Sequence, residues 1–361
     1  MDTDTTSIKA YSNDRVASFL LERILKGEWG VGEKIPSVDQ LEAALPASRM
    51  TISKGIGKLC DQGYLRTAWR SGTYVRSNIL VRRILLHVGG DQGALPMHPF
   101  SLVVTRKLEK LLARRNMQVE IQWEARRAML GERLASDLTD DRFHGAISVQ
   151  SNLPAILQRE LPSLLGTLPM VHVGIHHQVP WVFVDMSTFN RLAADYCRQV
   201  GSRCVLYASP PDSPEFQEFS AISGVETLSL TPDTDDLDVS SHEEQGYRLF
   251  LDAWHRFKGR IDAVIAADDM WAKGIVQALL AVGLEKTQHL KVVALTNKDS
   301  GIFYPFPVQS IETDTDEIAE RTIKILIDQL THGVPGTPSG VSVRPAMGKN
   351  VITTPINEVT V

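Results

Sequence analysis

Apolar runs of strand length alternate with segments of helical spacing from Arg82 onward, and this alternation constrains the fold more than any other feature of the 361-residue sequence. Residues 84–88 form the first such run, and a helical pattern follows at about 100–116. Similar apolar runs recur at 145–149 and 291–295. Strands joined by helices predict parallel sheets with helices on both faces. About ten such strands favour two α/β lobes over a single sheet.

The first 78 residues have a different pattern, with three helical segments and a short hairpin. Ser37 and Gln40 have the spacing of a capping box before the second helix. The third helix is predicted from about Arg49 to residue 62 and ends at a glycine. Residues 64–69 and 73–76 are predicted to be the hairpin arms. The predicted fold class is therefore α/β, with an N-terminal winged helix-turn-helix before a two-lobed α/β domain.

Basic residues are concentrated where the third helix and the hairpin lie. Residues 47–83 contain eight basic residues and one acidic residue, whereas the rest of the chain contains 30 basic and 42 acidic residues. The net charge of −5 hides this asymmetry. A basic region on an acidic body is typical of a protein that contacts nucleic acid locally, although a basic patch also arises by chance.

Several classes of protein are disfavoured. The three cysteines have no metal-type spacing and are an odd number for a disulfide framework, which favours a reducing compartment. No apolar run reaches the length of a membrane span, and no signal-peptide pattern precedes the first helix, so we expect a cytoplasmic protein. Motifs for nucleophile elbows, phosphate loops, zinc proteases and dinucleotide binding are absent, so we expect no enzyme activity, cofactor or metal.

The N-terminal region resembles the GntR-type winged helix. The resemblance rests on four motifs in the same order and spacing: Gly-Glu-Lys-Ile-Pro-Ser at 32–37, Ser48-Arg49-x-Thr51, Leu59 with Gly63-Tyr64-Leu65, and Gly72-Thr73-Tyr74-Val75. Three positions depart from the family pattern. Asp39 replaces a usual Arg, Ser53 followed by Lys54 replaces a second one, and Arg70 replaces a usual Gly. We therefore expect an operator different from the family's common one.

The candidate DNA contacts lie in the second and third helices and in the wing. Arg49 suits guanine or a phosphate, and its alternative is an ordinary helix-surface position. Thr51 and Ser53 suit phosphate or a thymine methyl group. Helix capping alone would explain Ser37, and a solvated turn would explain the wing tip. The full predicted set is Ser37, Arg49, Thr51, Ser53, Lys54, Arg70, Ser71 and Gly72.

The remainder of the chain resembles the LacI-type effector domain, which is similar to periplasmic sugar-binding proteins. Five pieces carry the resemblance: Pro99-Phe100, Val182-x-Val184-Asp185, and residues 262–274, 292–297 and 308–314. The resemblance implies an effector and dimerisation domain over 79–361. Its first lobe would cover about 82–185 and 299–312, and its second about 186–298 and 313–345. Sugar-binding members usually carry an Arg where this chain has residues 214–217, Pro-Glu-Phe-Gln, so a guanidinium grip on a pyranose is in doubt.

Ligand-binding residues are expected where parallel strands end. The predicted effector-binding set is His98, Phe100, Ser148, Gln150, Asp269, Trp271 and Asn297. Asp268 is interpreted as a helix N-cap, which favours Asp269 as the ligand-binding carboxylate. Trp271 could stack on a sugar face, but an aromatic one turn into a helix is more often core. The adjacent His176 and His177 are interpreted as a loop pair rather than a metal site.

These features predict a ligand-responsive transcriptional regulator. We expect a repressor that binds double-stranded operator DNA as a homodimer and senses a small polar metabolite. The resemblance favours a sugar, followed by a nucleoside or another polyol. Two alternatives are a regulator whose C-terminal domain only dimerises and an enzyme fused to a DNA-binding head. No membrane partner is expected.

Overall fold

The computed structural model describes residues 11–61, 63–69, 71–76, 82–89, 98–115, 117–124, 129–229, 241–257 and 259–348. Residues 77–81, which join the first region to the α/β region, lie outside these residues. No helix among them is long and apolar enough to cross a membrane. The predicted fold class is confirmed, because a small winged-helix domain precedes two parallel-sheet lobes.

The winged-helix domain contains three helices and one hairpin. Its elements are α1 (Asn13–Leu25), α2 (Val38–Ala44), α3 (Arg49–Asp61), β1 (Leu65–Ala68) and β2 (Gly72–Val75). The two strands are antiparallel, with Leu65 opposite Val75. Both of these side chains are buried in one core with Leu20 and Ile52. Apolar residues at helical spacing thus place α3 on the domain with its polar face outward.

The first sheet of the α/β region has the strand order β13-β7-β6-β5-β3-β4. The strands are β3 (Arg83–Val88), β4 (Gln118–Trp123), β5 (Gly145–Val149), β6 (Met170–Val173), β7 (Trp181–Val184) and β13 (Gly340–Val343). The central pairs are parallel, as the alternation of strands and helices predicts. The intervening helices are α4 (Pro99–Ala113), α5 (Glu132–Thr139), α6 (Leu153–Glu160) and a 3-10 helix (Pro162–Gly166).

The second sheet has the strand order β14-β12-β11-β10-β8-β9. The strands are β8 (Cys204–Ala208), β9 (Glu226–Ser229), β10 (Ala263–Ala266), β11 (Lys291–Asn297), β12 (Val308–Thr313) and β14 (Ala346–Met347). Only β14 is antiparallel to its neighbour among the pairs in this sheet. The helices of this lobe are α7 (Met186–Gln199), α8 (Pro214–Ser223), α9 (His242–Phe257), α10 (Asp269–Val282) and α11 (Leu284–Thr287). Helix α12 (Thr315–His332) follows β12, and most of it packs with the first sheet, where the Gln329 side chain accepts from the Met170 N–H and donates to the Met170 carbonyl oxygen.

The predicted division of the C-terminal segments between the lobes is wrong at two strands and one helix. We assigned 299–312 to the first lobe, but β12 pairs in parallel with β11 in the second sheet. Residues 313–345 are predicted to lie in the second lobe, but β13 belongs to the first sheet and most of α12 packs with that sheet. Both strands carry polar residues among the apolar ones, so their pairing partners could not be inferred from hydrophobic pattern.

Helices α9 and α10 approach each other closely at two glycines. A Cβ atom on Gly274 would lie 1.9 Å from the carbonyl oxygen of Glu243, and one on Gly246 would lie 2.4 Å from that of Trp271. Both contacts are with rigid backbone, so a side chain at either position would force the helices apart. The close approach brings the N-terminal end of α9 beside that of α10.

Candidate DNA-binding surface and ligand site

The first turn of α3 is fixed by a local cap. The Ser48 hydroxyl accepts a hydrogen bond from the backbone N–H of Thr51 at 3.2 Å, and the two hydroxyl oxygens are 2.9 Å apart. Ser48 therefore caps the N-terminus of this helix. The Thr51 hydroxyl is partly buried and has an internal partner, whereas Arg49, Ser53 and Lys54 are exposed on the same helix.

Arg49 has acidic neighbours on α2. One guanidinium nitrogen lies 2.6 Å from a carboxylate oxygen of Asp39, and both side chains are about two-thirds exposed. The backbone N–H of Arg49 donates to Glu42 at 3.1 Å. Asp39 stands where the family usually has an Arg. The departure therefore removes one cation and also adds a carboxylate, which pairs with Arg49.

Ser37 forms the predicted capping box. Its hydroxyl accepts from the Gln40 N–H at 3.3 Å, and the Gln40 side-chain oxygen accepts from the Ser37 N–H at 2.9 Å. Capping is thus a sufficient structural reason for Ser37, as the sequence analysis allowed. A DNA contact at this residue remains a prediction.

The wing turn is held by a side-chain contact. The hydroxyl oxygens of Ser71 and Tyr74 are 2.6 Å apart. Gly72 has a φ of +126°, which L-residues rarely adopt, and its α-carbon is covered by the side chain of Lys34. The positive φ is therefore a sufficient reason for a glycine at position 72, and the predicted DNA contact of Gly72 stays a prediction. The predicted contact Arg70 lies outside the described residues.

Two large apolar side chains that the sequence analysis did not single out are exposed on α3 and the wing. Met50 on α3 is 66% exposed, and Trp69 in the wing is 81% exposed. Helical spacing could have identified Met50, because it lies next to Arg49 and away from the buried stripe of Ile52 and Ile56. An exposed apolar residue at the start of such a helix suits contact with a thymine methyl group.

In the second lobe, polar side chains meet at the carboxyl ends of β10 and β11. Asp269 at the start of α10 is fully buried, and its Oδ2 accepts a hydrogen bond from Asn297 Nδ2 at 2.8 Å. Its Oδ1 has no hydrogen-bond partner among the described residues. The Tyr304 hydroxyl donates to the Asp269 carbonyl oxygen at 3.0 Å. The structure thus brings together two of the predicted residues, Asp269 and Asn297.

His98 lies beside this pair, and His242 is a residue that the sequence analysis missed. His98 Nε2 is 2.5 Å from Asp268 Oδ2, and His242 Nδ1 is 3.5 Å from the same oxygen. Asp268 Oδ1 accepts from the backbone N–H groups of Met270 and Trp271, both at 2.9 Å, which confirms its role as N-cap. We call His98, His242, Asp268, Asp269 and Asn297 the α10 cluster.

The two carboxylates of the α10 cluster have opposite pKa shifts. Burial would raise the pKa of Asp268, but hydrogen bonds from His242 and His98 and their charges lower it well below its ordinary value. Burial raises the pKa of Asp269, and the negative charge of Asp268 adds to the effect. Burial disfavours charged His98, yet Asp268 and Asp269 outweigh it and raise the pKa of His98.

Two further predicted residues lie on the first lobe. Ser148 in β5 is fully buried, and its hydroxyl oxygen is 2.9 Å from His172 Nδ1 and 2.8 Å from the Ser151 hydroxyl. Its hydrogen-bonding groups are thus already used internally. Gln150 follows β5 and is exposed, with a φ of +44°.

The predicted aromatic contacts occupy packed positions. Phe100 in α4 is 3% exposed and makes an edge-to-face contact with Phe183, with ring centroids 6.2 Å apart. Trp271 is partly buried against the apolar cluster of the second lobe, which agrees with the alternative that it is a core residue. Their roles in ligand binding stay predictions.

Comparison with protein-family models identifies both regions. Residues 12–75 match the model described as bacterial regulatory proteins, gntR family. Residues 208–347 match the model described as a periplasmic binding protein-like domain. Both predicted resemblances are confirmed, and both models describe regulatory or binding modules, in agreement with the expectation of a regulator rather than an enzyme. No curated protein matches this chain.

Solved structures show a similar fold at low identity. The Cra transcriptional dual regulator from Pseudomonas putida, solved with fructose 1-phosphate, is 15% identical, with a TM-score of 0.56 over 74% of this chain and 99% of that chain. The transcriptional regulator CelR, in complex with cellobiose, is 17% identical, with a TM-score of 0.57, and the match covers 87% and 99%. The LacI family regulator CCPA from Weissella paramesenteroides, with bound glucose, is 13% identical, with a TM-score of 0.57 and coverage of 74% and 97%.

Proposed function

We propose that this chain, which joins a gntR-family DNA-binding domain to a periplasmic binding protein-like domain, is a transcriptional regulator whose operator affinity changes when it binds a sugar or a related polyol or nucleoside. The observation that carries the ligand half of the proposal is Asp269. Its carboxylate is fully buried, and Oδ2 accepts a hydrogen bond from Asn297, whereas Oδ1 has no partner among the described residues. Burying an acceptor without a donor costs free energy unless another group donates to it. A ligand hydroxyl supplies that donor.

The ligands seen in similar structures agree with this class. Those proteins were solved with fructose 1-phosphate, cellobiose and glucose. Here the cluster offers acceptors at Asp269 and a buried His98 Nδ1 that has no partner within the part of the chain that the structure describes. A polyol, whose hydroxyls donate and accept at short spacing, fits such a set better than an apolar ligand.

The DNA half rests on α3 and the wing. Arg49, Ser53 and Lys54 face solvent from a helix whose apolar side is buried. We infer that α3 enters the major groove and that the wing contacts the neighbouring backbone. We further infer a cytoplasmic homodimer that binds two half-sites, and a repressor that the ligand releases from its operator.

A thermal-unfolding screen tests the ligand half. The panel contains monosaccharides, sugar acids, nucleosides and polyols. A ligand at 100 times its dissociation constant should add about 2.7 kcal/mol to the free energy of unfolding. Asp269→Asn should abolish that increase, whereas Asp252→Asn on the exposed face of α9 should retain it. A ligand that stabilises Asp269→Asn as much as the wild type would contradict the assignment.

A dimerisation-only domain is the second candidate, and one observation favours it. Helix α8 begins at Pro214 with Glu215 in its first turn, so the segment where sugar-binding members usually carry an Arg brings no guanidinium. This candidate predicts that no compound in the panel stabilises the protein.

A further inference from the structure

We infer that the α10 cluster binds a divalent transition metal ion of the zinc class through His98, His242 and Asp268. Nε2 or Nδ1 of each imidazole and a carboxylate oxygen of Asp268 all lie within 4.8 Å of one another. Two imidazoles and one carboxylate form a common set for such ions, with positions left for a further ligand.

The Asp268 carboxylate is held in place by backbone N–H groups as well as by the two histidines. Asp268 Oδ1 is fixed by two backbone N–H groups at the start of α10, so Oδ2 is directed at the histidines. Groups that orient a ligand in this way strengthen metal binding. The His98 and His242 rings meet edge to face, with centroids 5.4 Å apart.

Asp269 provides a second observation, which this inference shares with the proposed ligand site. Its fully buried Oδ1 has no partner among the described residues and lies 3.9 Å from His98 Nε2. A buried carboxylate oxygen without a donor is disfavoured, and a cation beside it removes that penalty. The unpartnered oxygen therefore lies beside one of the proposed ligands, His98.

The packing of the second lobe explains how distant residues meet here. The two glycines at the α9–α10 contact allow the N-terminal end of α9, with His242, to lie beside Asp268. Lys273 and Glu243, whose charged atoms are 2.9 Å apart, link the same two helices. A metal would replace the hydrogen bond between His98 Nε2 and Asp268 Oδ2, with a small outward movement of the rings.

Metal titration of the full-length, tag-free chain tests this inference. After dialysis against a chelator, calorimetry with Zn²⁺ should give one site per chain, and Co²⁺ should give a visible ligand-field absorption band. His242→Ala and Asp268→Asn should each weaken Zn²⁺ binding by at least about 10-fold. The Asn variant keeps an acceptor oxygen for the helix cap, and circular dichroism checks that both variants are folded.

His332→Ala is the matched control, because His332 forms an exposed histidine–aspartate pair with Asp328 at 3.0 Å outside the cluster. It should bind Zn²⁺ like the wild type. Wild-type protein without a stoichiometric site, or a His242→Ala variant that binds like the wild type, would overturn the inference. The titration contains neither DNA nor an organic ligand, so its failure leaves the proposed function untouched.

Discussion

The guanidinium of Arg49 forms an ion pair with the carboxylate of Asp39, 2.6 Å away, at the start of the helix proposed to enter the major groove. Both side chains are exposed, so the pair adds little to folding stability. Its consequence concerns DNA instead. Asp39 competes with guanine or phosphate for Arg49, and its carboxylate is also able to accept a hydrogen bond from cytosine N4.

Arg49→Ala should weaken binding to a duplex enriched from a random library by the wild-type protein. The expected loss is about 1–3 kcal/mol, because a groove contact by an Arg is removed. Fluorescence anisotropy at fixed salt measures it. Arg256→Ala, which breaks an exposed Arg–Asp pair on α9, is the matched control and should leave DNA affinity unchanged. Equal affinities for Arg49→Ala and the wild type would refute the groove assignment.

Asp39→Asn should raise affinity for DNA of random sequence, because it removes a negative charge from the DNA-facing surface and leaves Arg49 without its ion-pair partner. The slope of log affinity against log salt should become steeper. A repeated selection should also return a different preferred base at the position that Asp39 reads. Weaker binding to random DNA by Asp39→Asn would contradict this account of the pair.

Gly274→Ala should destabilise the second lobe by roughly 1–3 kcal/mol, as expected when a close-packed contact is overfilled. The added methyl group would meet the Glu243 carbonyl oxygen at 1.9 Å. Urea unfolding measures the loss. Gly57→Ala is the control, because a Cβ at this α3 position meets nothing within 4 Å. A Gly274→Ala variant as stable as the wild type would show that the helices do not approach as described.

His172 should make stability depend on pH. Burial, together with the charge of His176, lowers the pKa of His172 to about 4 from 6.5. Between these values the unfolded chain binds more protons than the folded chain, so the free energy of unfolding falls as the pH falls through this window. His172 should contribute about 2 kcal/mol of the loss between pH 7 and pH 5.

Urea unfolding of the wild type and His172→Gln at both pH values isolates this contribution. The variant lacks the titrating ring, so its loss of stability should be smaller by that amount, while His332→Gln on the exposed end of α12 should behave like the wild type. A His172→Gln variant with the same pH dependence as the wild type would contradict the assignment.

The sequence predicts the local structure of this protein well because each local signal has one physical meaning. The capping box of Ser37 and the cap at Asp268 satisfy N–H groups that any helix leaves open, and both are present. The parallel strands follow from buried apolar runs separated by helices. The match of residues 12–75 to a DNA-binding family rests on motifs of the same local kind.

Relationships between distant residues were not predictable from the sequence. His242 has no motif around it, and it joins the α10 cluster only because two glycines let α9 and α10 approach. The pairing of Arg49 with Asp39 depends on how α2 and α3 pack, although the departure at Asp39 was visible in the sequence by itself. Strands β12 and β13 were misassigned because pairing partners depend on chain crossovers, which hydrophobic pattern does not encode.

Ligand binding is proposed to change DNA binding, and fluorescence anisotropy of the wild-type protein on its selected duplex measures this coupling. The titration is run with and without the compound that stabilises the protein in the thermal screen. We predict that the compound changes the dissociation constant for DNA by roughly 5–150-fold in the wild type and leaves it unchanged in Asp269→Asn. A dissociation constant that no stabilising compound alters in the wild type would contradict the account.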